Sequence, residues 1–205
     1  CSQIDGTIKY LFSQVQTIAP KEDENGYGKV RTSISGNTIN YYEYDDHDNV
    51  AIHVICRGND CKLYKYLYDV SGATLEKELY YTFDGGFRVP DQENGETFSE
   101  DDLSLTFQSC TQYEYNLYGL CETIKTSAYY TDNSGNVYGD VNTLPIFSYS
   151  EYVTTANSKI FGALTKEIDS LGNTTRYFYD STKGLLLAEV YSDGTGLGYE
   201  YDSRN

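Results

Sequence analysis

The sequence predicts an all-β protein built from consecutive antiparallel β-hairpins. Tyrosine supplies 23 of the 205 residues and glycine 18, whereas proline supplies only 3. Tyrosine favours strands, and glycine favours tight turns. Turn signals recur about every 11 to 14 residues through the first half of the chain. No window keeps apolar residues at spacings of three and four over ten residues, so helices are not expected.

The first half of the chain is predicted to form an antiparallel meander. The segments between its turns are rich in Tyr, Ile, Val, Thr and Leu, and each is long enough for a strand of about eight to ten residues. The turn signals are "DENGYG" at 23–28, "SGN" at 35–37, "DHDN" at 46–49, "RGND" at 57–60, "VSG" at 70–72 and "DGG" at 84–86.

A short phrase, tyrosine–any–tyrosine–aspartate, recurs along the chain, and its last two copies lie 22 residues apart. Side chains two residues apart on a strand share a face, so the rings are expected to pair across strands at roughly 0.2–1 kcal/mol per pair. The acid begins a turn by accepting backbone amides, and a following glycine supplies positive φ. Repetition of the phrase predicts stacked hairpins. The motif residues are Tyr42, Tyr44, Asp45, Tyr66, Tyr68, Asp69, Gly72, Tyr113, Tyr115, Asn116, Gly119, Gly172, Asn173, Tyr177, Tyr179, Asp180, Gly184, Asp193, Gly194, Tyr199, Tyr201 and Asp202.

The phrase predicts a single repeat array over residues 1–205, interrupted by two long loops or irregular hairpins near 87–112 and 126–167. The first interruption lies in a stretch from Val89 to Glu122 with eight acids and no Lys or Arg, which predicts a solvated acidic loop. The second is rich in Ser, Thr, Asn and Tyr. The repeat-like copies lie near 36–60, 66–86, 113–125, 169–195 and 199–205.

The formal net charge of −16 argues against nucleic-acid partners and against binding to anionic membrane surfaces. No stretch approaches the ~20 apolar residues that a membrane helix needs, so membrane insertion is not expected. Open strand edges would instead allow self-association.

The five cysteines allow more than one interpretation. Cys56 and Cys61 flank "RGND", so a hairpin turning there would place them opposite each other and allow a disulfide; two free thiols fit equally well. Cys110 and Cys121 flank a turn at "NLYG" at unequal distances, so their pairing is less favoured, and Cys1 has no obvious partner. None of these spacings is typical of a zinc site.

The sequence carries no recognisable catalytic motif, so no enzyme activity and no cofactor are expected. His47 lies in a predicted turn and His53 on a predicted strand, and neither is accompanied by a nucleophile motif. Asp45, Asp46 and Asp48 in "DDHDN" are candidate calcium ligands, but the segment lacks the glycine and the distant glutamate of an EF-hand loop. A β-turn with excess acid is the favoured interpretation.

The stretch "DSLGNTTRYFYDSTKGLLLAEVYSDGTGLGYEYD", residues 169–202, resembles the tyrosine–aspartate (YD) repeat family, also called RHS repeats. Copies at 42–50, 66–85 and 113–120 extend the resemblance. It implies a spiral strip of hairpins forming the curved wall of a hollow shell, as in bacterial polymorphic toxins, insecticidal toxin complexes, wall-associated proteins and teneurins. The family's cleavage region contains Asp-Pro motifs, and this chain has no Asp-Pro, so no self-cleaving segment is expected here.

The resemblance implies a non-catalytic structural role in a large secreted or cell-surface protein, with neighbouring repeats of the same longer chain and an enclosed C-terminal effector domain as its partners. The alternative is a carbohydrate-binding or adhesive module that uses exposed tyrosine rows. A tyrosine phrase repeated at every hairpin favours packing over recognition, because repeat units bury their faces against neighbours.

Overall fold

The computed structural model describes residues 14–18, 29–91 and 96–202, and these residues confirm the antiparallel all-β fold. Apart from strands, they contain a 3-10 turn at Glu100–Asp102. Among the residues described, no helix has the length and apolar character needed to cross a membrane. The strands are β1 Gln14–Ile18, β2 Val30–Ser35, β3 Thr38–Tyr44, β4 Val50–Arg57, β5 Asp60–Tyr68, β6 Leu75–Phe83, β7 Thr106–Tyr115, β8 Cys121–Ser127, β9 Tyr129–Thr131, β10 Val137–Gly139, β11 Ile146–Tyr152, β12 Leu164–Ile168, β13 Thr174–Asp180, β14 Leu185–Val190 and β15 Gly196–Gly198.

Hydrogen bonding orders the strands almost as they occur in the chain. The order is β1 to β8, then β11 to β15, while β9 and β10 form a separate two-stranded hairpin. The chain divides into two compact units. The first unit extends to Cys110 and includes Ala128–Thr143, and the second comprises Thr111–Ser127 and the residues from Leu144 onward.

In the first unit, β2 to β6 form the meander that the turn signals predict. Two of its turns have only two residues, because Ser35 pairs with Thr38 and Arg57 pairs with Asp60. Gly36 and Gly58 have φ of +59° and +65°, a conformation in which a side chain would be strained. The predicted turn at 23–28 lies outside the described residues.

One face of this meander is the core of the first unit. Successive residues of a strand point to opposite faces, so alternate residues are buried on this side at the end of β4, the start of β5 and the end of β6. The buried apolar side chains are Tyr41, Val54, Cys56, Cys61, Leu63, Leu79, Tyr81, Phe83 and Cys110.

The acidic segment that follows β6 covers this core, which corrects the prediction of a solvated loop. We call residues 87–91 and 96–105 the covering segment. Its Phe87 and Phe98 rings lie 5.3 Å and 5.6 Å from the ring of Tyr41. Its Glu100 carboxylate pairs with Lys65 Nζ at 2.8 Å. The prediction from composition was wrong because the segment also contains apolar residues that pack inward, while its acidic residues lie nearer the surface.

The second interruption, 126–167, also contains regular structure. The β9–β10 hairpin lies within it, and Tyr130 of β9 packs against the core of the first unit. Strand β11 and most of β12 complete this stretch. Strands β9 and β10 are only three residues long and carry no copy of the phrase, so the repeat pattern could not predict them.

In the second unit, β11 pairs with both β8 and β12, and β13 pairs with both β12 and β14. Several large apolar side chains of these strands remain exposed, Phe147, Tyr149 and Phe178 among them.

Candidate functional site: tyrosine anchors and aspartate turns

In four copies of the phrase, the second tyrosine bonds to the preceding strand. Tyr179 Oη donates to the carbonyl of Leu164 at 2.9 Å, and Tyr201 Oη donates to the carbonyl of Leu186 at 2.7 Å. Donor and acceptor are 15 residues apart in both cases. We call a tyrosine with this contact an anchor. The further anchors are Tyr44 to Val30 at 2.6 Å, Tyr68 to Val50 at 3.3 Å and Tyr152 to Cys121 at 2.9 Å.

The first tyrosine of the last two phrases makes a contact that repeats with the same shift. Tyr177 Oη donates to Glu167 at 3.1 Å, and Tyr199 Oη donates to Glu189 at 2.7 Å, each 10 residues earlier in the chain. Burial and the bond to Glu167 raise the pKa of Tyr177 to about 12. The bond to Glu189, with burial, raises the pKa of Tyr199 to about 12. Both phenols therefore remain hydrogen-bond donors at neutral pH.

Each of four anchors also marks a β-bulge against the following strand. The pairing of β13 with β14 runs from Phe178–Ala188 to Tyr179–Leu186, which leaves Leu187 as the extra residue. A bulge interrupts the backbone ladder and increases the local twist. Each of these four anchors therefore lies where the ladder to the following strand is irregular, and its hydroxyl adds a bond to the strand on the other side. The equivalent extra residues are Ala51, Glu76 and Thr165.

The turns led by Asp or Asn share one hydrogen-bond pattern. At Asp169, Oδ1 accepts the amides of Leu171 and Asn173 at 2.8 Å and 2.9 Å. The Asp169 carbonyl accepts the amide of Gly172, whose φ is +84°. The pattern recurs at Asp45–Asn49, Asn116–Leu120 and Asp132–Asn136, and with one more residue at Asp69–Thr74.

These bonds change the acidity of the turn aspartates. Hydrogen bonds from neighbouring side chains and from backbone amides lower the pKa of Asp69, Asp132 and Asp169, because they stabilise the charged carboxylate. Asn116 does the same structural work without charge, since its side-chain oxygen accepts the amides of Tyr118 and Leu120.

The turns after β13 and β14 differ in detail. Asp180 Oδ1 accepts the amide of Thr182 at 2.8 Å, and the Asp180 carbonyl accepts the amide of Gly184 at 2.7 Å. In the next turn the carbonyl of Tyr191 accepts the amide of Gly194, so Asp193 is the third residue of that turn and not its first. Asp193 bonds the amide of Thr195 at 2.9 Å.

Two neighbouring turns in the first unit contact each other. Asn49 Nδ2 donates to the carbonyl of Gly72 at 2.7 Å. A Cβ built on Gly72 would lie 2.3 Å from Cγ of His47, so only glycine fits there. The turn 45–49 and the turn 69–74 are therefore packed side by side.

The structure places the calcium candidates in one of these turns. Asp45, Asp46 and His47 offer ligand-type atoms within 4.8 Å of one another, and Asp48 is not part of that group. Asp45 Oδ1 accepts the amides of His47 and Asn49 at 2.9 Å and 2.8 Å, and Asp46 pairs with His47. These contacts give Asp45 the role of a turn residue.

The cross-strand rings differ from the expected ladder of motif tyrosines. The phrase occurs on one strand of each hairpin, so its partners are residues of the other strand: Tyr66 faces Glu78, and Tyr177 faces Glu189. A row of rings forms where one motif tyrosine, Tyr42, aligns with aromatic residues outside the motif. It runs Tyr42, His53, Tyr64, Tyr80, with centroids 4.4 Å, 6.2 Å and 5.0 Å apart.

His53 belongs to that row and is packed. Its ring stacks on Tyr42, and Nε2 lies 3.2 Å from Asn40 Oδ1. Burial lowers the pKa of His53, because the charged imidazolium loses solvation.

The structure joins Cys56 and Cys61 in a disulfide between facing residues of β4 and β5, whose Cα atoms are 4.2 Å apart. Cys110 and Cys121 are not joined to each other, so the less favoured disulfide is not made. Cys1 lies outside the described residues.

The sequence did not allow us to predict the anchor Tyr152 or the packing of the covering segment. Tyr152 lies in "YSEY", which breaks the spacing of the phrase, although an aromatic residue at the end of a strand was a signal that could have found it. The motif residues Tyr113 and Tyr115 lie on β7.

Comparisons with known proteins assign no family. No protein-family model matches the chain, and no curated protein matches it. Among solved structures, the chain is similar to the crystal structure of TcdB2–TccC3–Cdc42, with 11% sequence identity and a TM-score of 0.31. The match covers 92% of this chain and 11% of the other, so this chain spans about 11% of that chain's length. A TM-score of 0.31 is too low to establish a shared fold.

Proposed function

We propose that this chain is a non-catalytic structural segment of a repeat-built wall in a large secreted or cell-surface protein. One observation carries the proposal. A shift of 22 residues superimposes the donor and acceptor of two different hydrogen bonds, Tyr179 to Leu164 on Tyr201 to Leu186 and Tyr177 to Glu167 on Tyr199 to Glu189. A contact that repeats with the sequence period belongs to the architecture of the array.

The anchors favour this role over recognition of a ligand. Each anchor hydroxyl donates to a backbone carbonyl of the adjacent strand, so its hydrogen-bonding capacity serves the sheet. The histidines fit the same interpretation, because His53 is stacked in a row of rings and His47 fills the space beside Gly72.

The work of such a segment is mechanical. Its hairpins would continue into neighbouring repeats and, with them, enclose or display another domain, which the resemblance to YD repeats suggests is an effector. Electron cryo-microscopy of the complete gene product tests this proposal. We expect the hairpins of residues 164–202 to continue into further hairpins of the same kind that curve around a lumen. A compact domain with no adjoining hairpins would overturn it.

A glycan array probed with the intact chain distinguishes the carbohydrate-binding alternative from the structural proposal. The structural proposal predicts no saturable binding. Binding that is lost on substitution of the exposed Tyr149 by Ala, while the fold is retained, would favour the alternative.

A further inference from the structure

One face of the second unit combines exposed aromatic rings with cations. We call it the mixed face and define it by Lys125, Phe147, Tyr149, Lys166, Arg176 and Phe178. The register places these side chains on one face of β8, β11, β12 and β13. Phe147 pairs with Lys125, Lys166 pairs with Arg176, and Tyr149 and Phe178 lie two residues along β11 and β13. Phe147, Tyr149 and Phe178 are 37%, 44% and 50% exposed.

The first unit shows how the corresponding position is used when it is covered. Lys65 precedes the anchor Tyr68 by three residues, as Arg176 precedes the anchor Tyr179. Lys65 pairs with Glu100 of the covering segment at 2.8 Å. Phe98 of the same segment lies against Tyr41. The first unit therefore uses one cation and neighbouring rings to hold a segment that carries acidic and aromatic side chains.

The mixed face offers the same chemistry without a cover. Lys166 pairs with Glu151 at 2.6 Å, whereas no residue in the described part of the chain forms an ion pair with Arg176 or Lys125. The face therefore keeps an excess of positive charge in a chain whose net charge is −16. Three cations are too few for a nucleic-acid backbone, where many phosphates must be neutralised.

We propose that the mixed face binds an acidic, aromatic-containing peptide segment of a partner, as the first unit holds its covering segment. Charge complementarity selects the acids of the peptide, and its aromatic side chain packs on the exposed ring of Phe178, beside Arg176. This proposal goes beyond the structural role and does not depend on it.

A labelled peptide tests the proposal directly. The probe is a fluorescein-labelled peptide, ETFSEDDLSL, the sequence of residues 96–105, titrated with the intact chain at low ionic strength and followed by anisotropy. We expect binding that weakens as salt is added. Arg176→Glu should raise the Kd at least about tenfold, the effect of one charged contact, and Phe178→Ser should also weaken binding.

Matched variants locate the binding. Lys183→Glu makes the same charge change in an exposed turn and should leave the Kd unchanged. Circular dichroism checks that every variant keeps the fold. If Arg176→Glu does not fold, Lys125→Glu takes its place. Three results would overturn the proposal: no binding by the intact chain, binding that is insensitive to both substitutions, or binding lost with Lys65→Glu and kept with Arg176→Glu, which would mean exchange with the covering segment.

Discussion

A single phenol hydroxyl adds a bond between strands at each anchor, and at four of the five anchors a bulge interrupts the ladder on the other side. The backbone at a bulge loses regular pairing, and a carbonyl in a partly buried sheet is costly to leave without a donor. Tyrosine can reach such a carbonyl while its ring lies along the sheet, and phenylalanine cannot donate. The recurrence of tyrosine at these positions therefore has a chemical reason beyond strand preference.

Asp48 gives a residue-scale prediction about turn conformation. Its φ is +62°, where the related turns have Gly72, Gly119, Gly135 and Gly172. A non-glycine residue pays about 1–2 kcal/mol in this region. We expect Asp48→Gly to raise the free energy of unfolding by about 1 kcal/mol in urea titrations. Asp46→Gly is the matched control, and it should lower stability or leave it unchanged, because its φ is not positive; equal gains for both would contradict this explanation.

His53 gives a prediction about pH. Burial lowers its pKa below the ordinary value of 6.5, so the folded protein binds fewer protons here than the unfolded chain does. The stability that the neutral, buried imidazole contributes is fully present above pH 6.5 and is lost as the pH falls from about 6.5 towards the lowered pKa. We expect Tm to fall across this window in the wild type and to fall less in His53→Phe, which keeps the stacked ring. Identical pH dependence in the two proteins would argue against a packed neutral imidazole.

At this scale the sequence predicted much of what the structure contains. Tyr44, Tyr68, Tyr179 and Tyr201 belong to the phrase and prove to be anchors. The acceptor of each bond could not be predicted, because it depends on the register between strands. Tyr152 escaped prediction since the anchor geometry requires only a tyrosine at the strand end.

The hairpin is the element that the repeat encodes, and its turns pack on one another as well as on their own strands. The turn at Asp45 and the turn at Asp69 are joined through Asn49, His47 and Gly72. The sequence predicted both turns from their own residues. It gave no sign of their contact, which arises because alternate turns of a meander lie at the same end of the sheet.

A glycine substitution tests this contact between turns. Gly72→Ala and Gly119→Ala both place a side chain at positive φ, and each should cost about 1–2 kcal/mol. Only Gly72→Ala also places a Cβ against His47, so it should cost about 1–3 kcal/mol more. Urea unfolding measures both. His47 Cβ itself lies 2.6 Å from that added Cβ, so in a His47→Gly background the extra cost of Gly72→Ala should disappear; if it persists, the turns are not in contact through this pair.

At the scale of the whole molecule, the two units are built from the same kind of antiparallel strand but differ in what covers those strands. The first unit buries one face beneath the covering segment and the β9–β10 hairpin, and the second leaves several rings exposed. The repeat pattern predicted the all-β fold, because period and turn chemistry are local properties. It could not predict the cover, because burial of Phe87 and Phe98 depends on a loop folding back over the strands.

The central claim is that anchor hydroxyls hold neighbouring strands of the sheet together. The most direct test is urea unfolding of Tyr44→Phe, Tyr68→Phe, Tyr152→Phe and Tyr179→Phe, each of which deletes one hydroxyl and keeps the ring. Tyr118→Phe is the control, since Tyr118 is 54% exposed and its hydroxyl has no hydrogen-bond partner among the described residues. We predict a loss of about 1 kcal/mol for each anchor and less than about 0.5 kcal/mol for the control. Anchor variants as stable as Tyr118→Phe would contradict the claim.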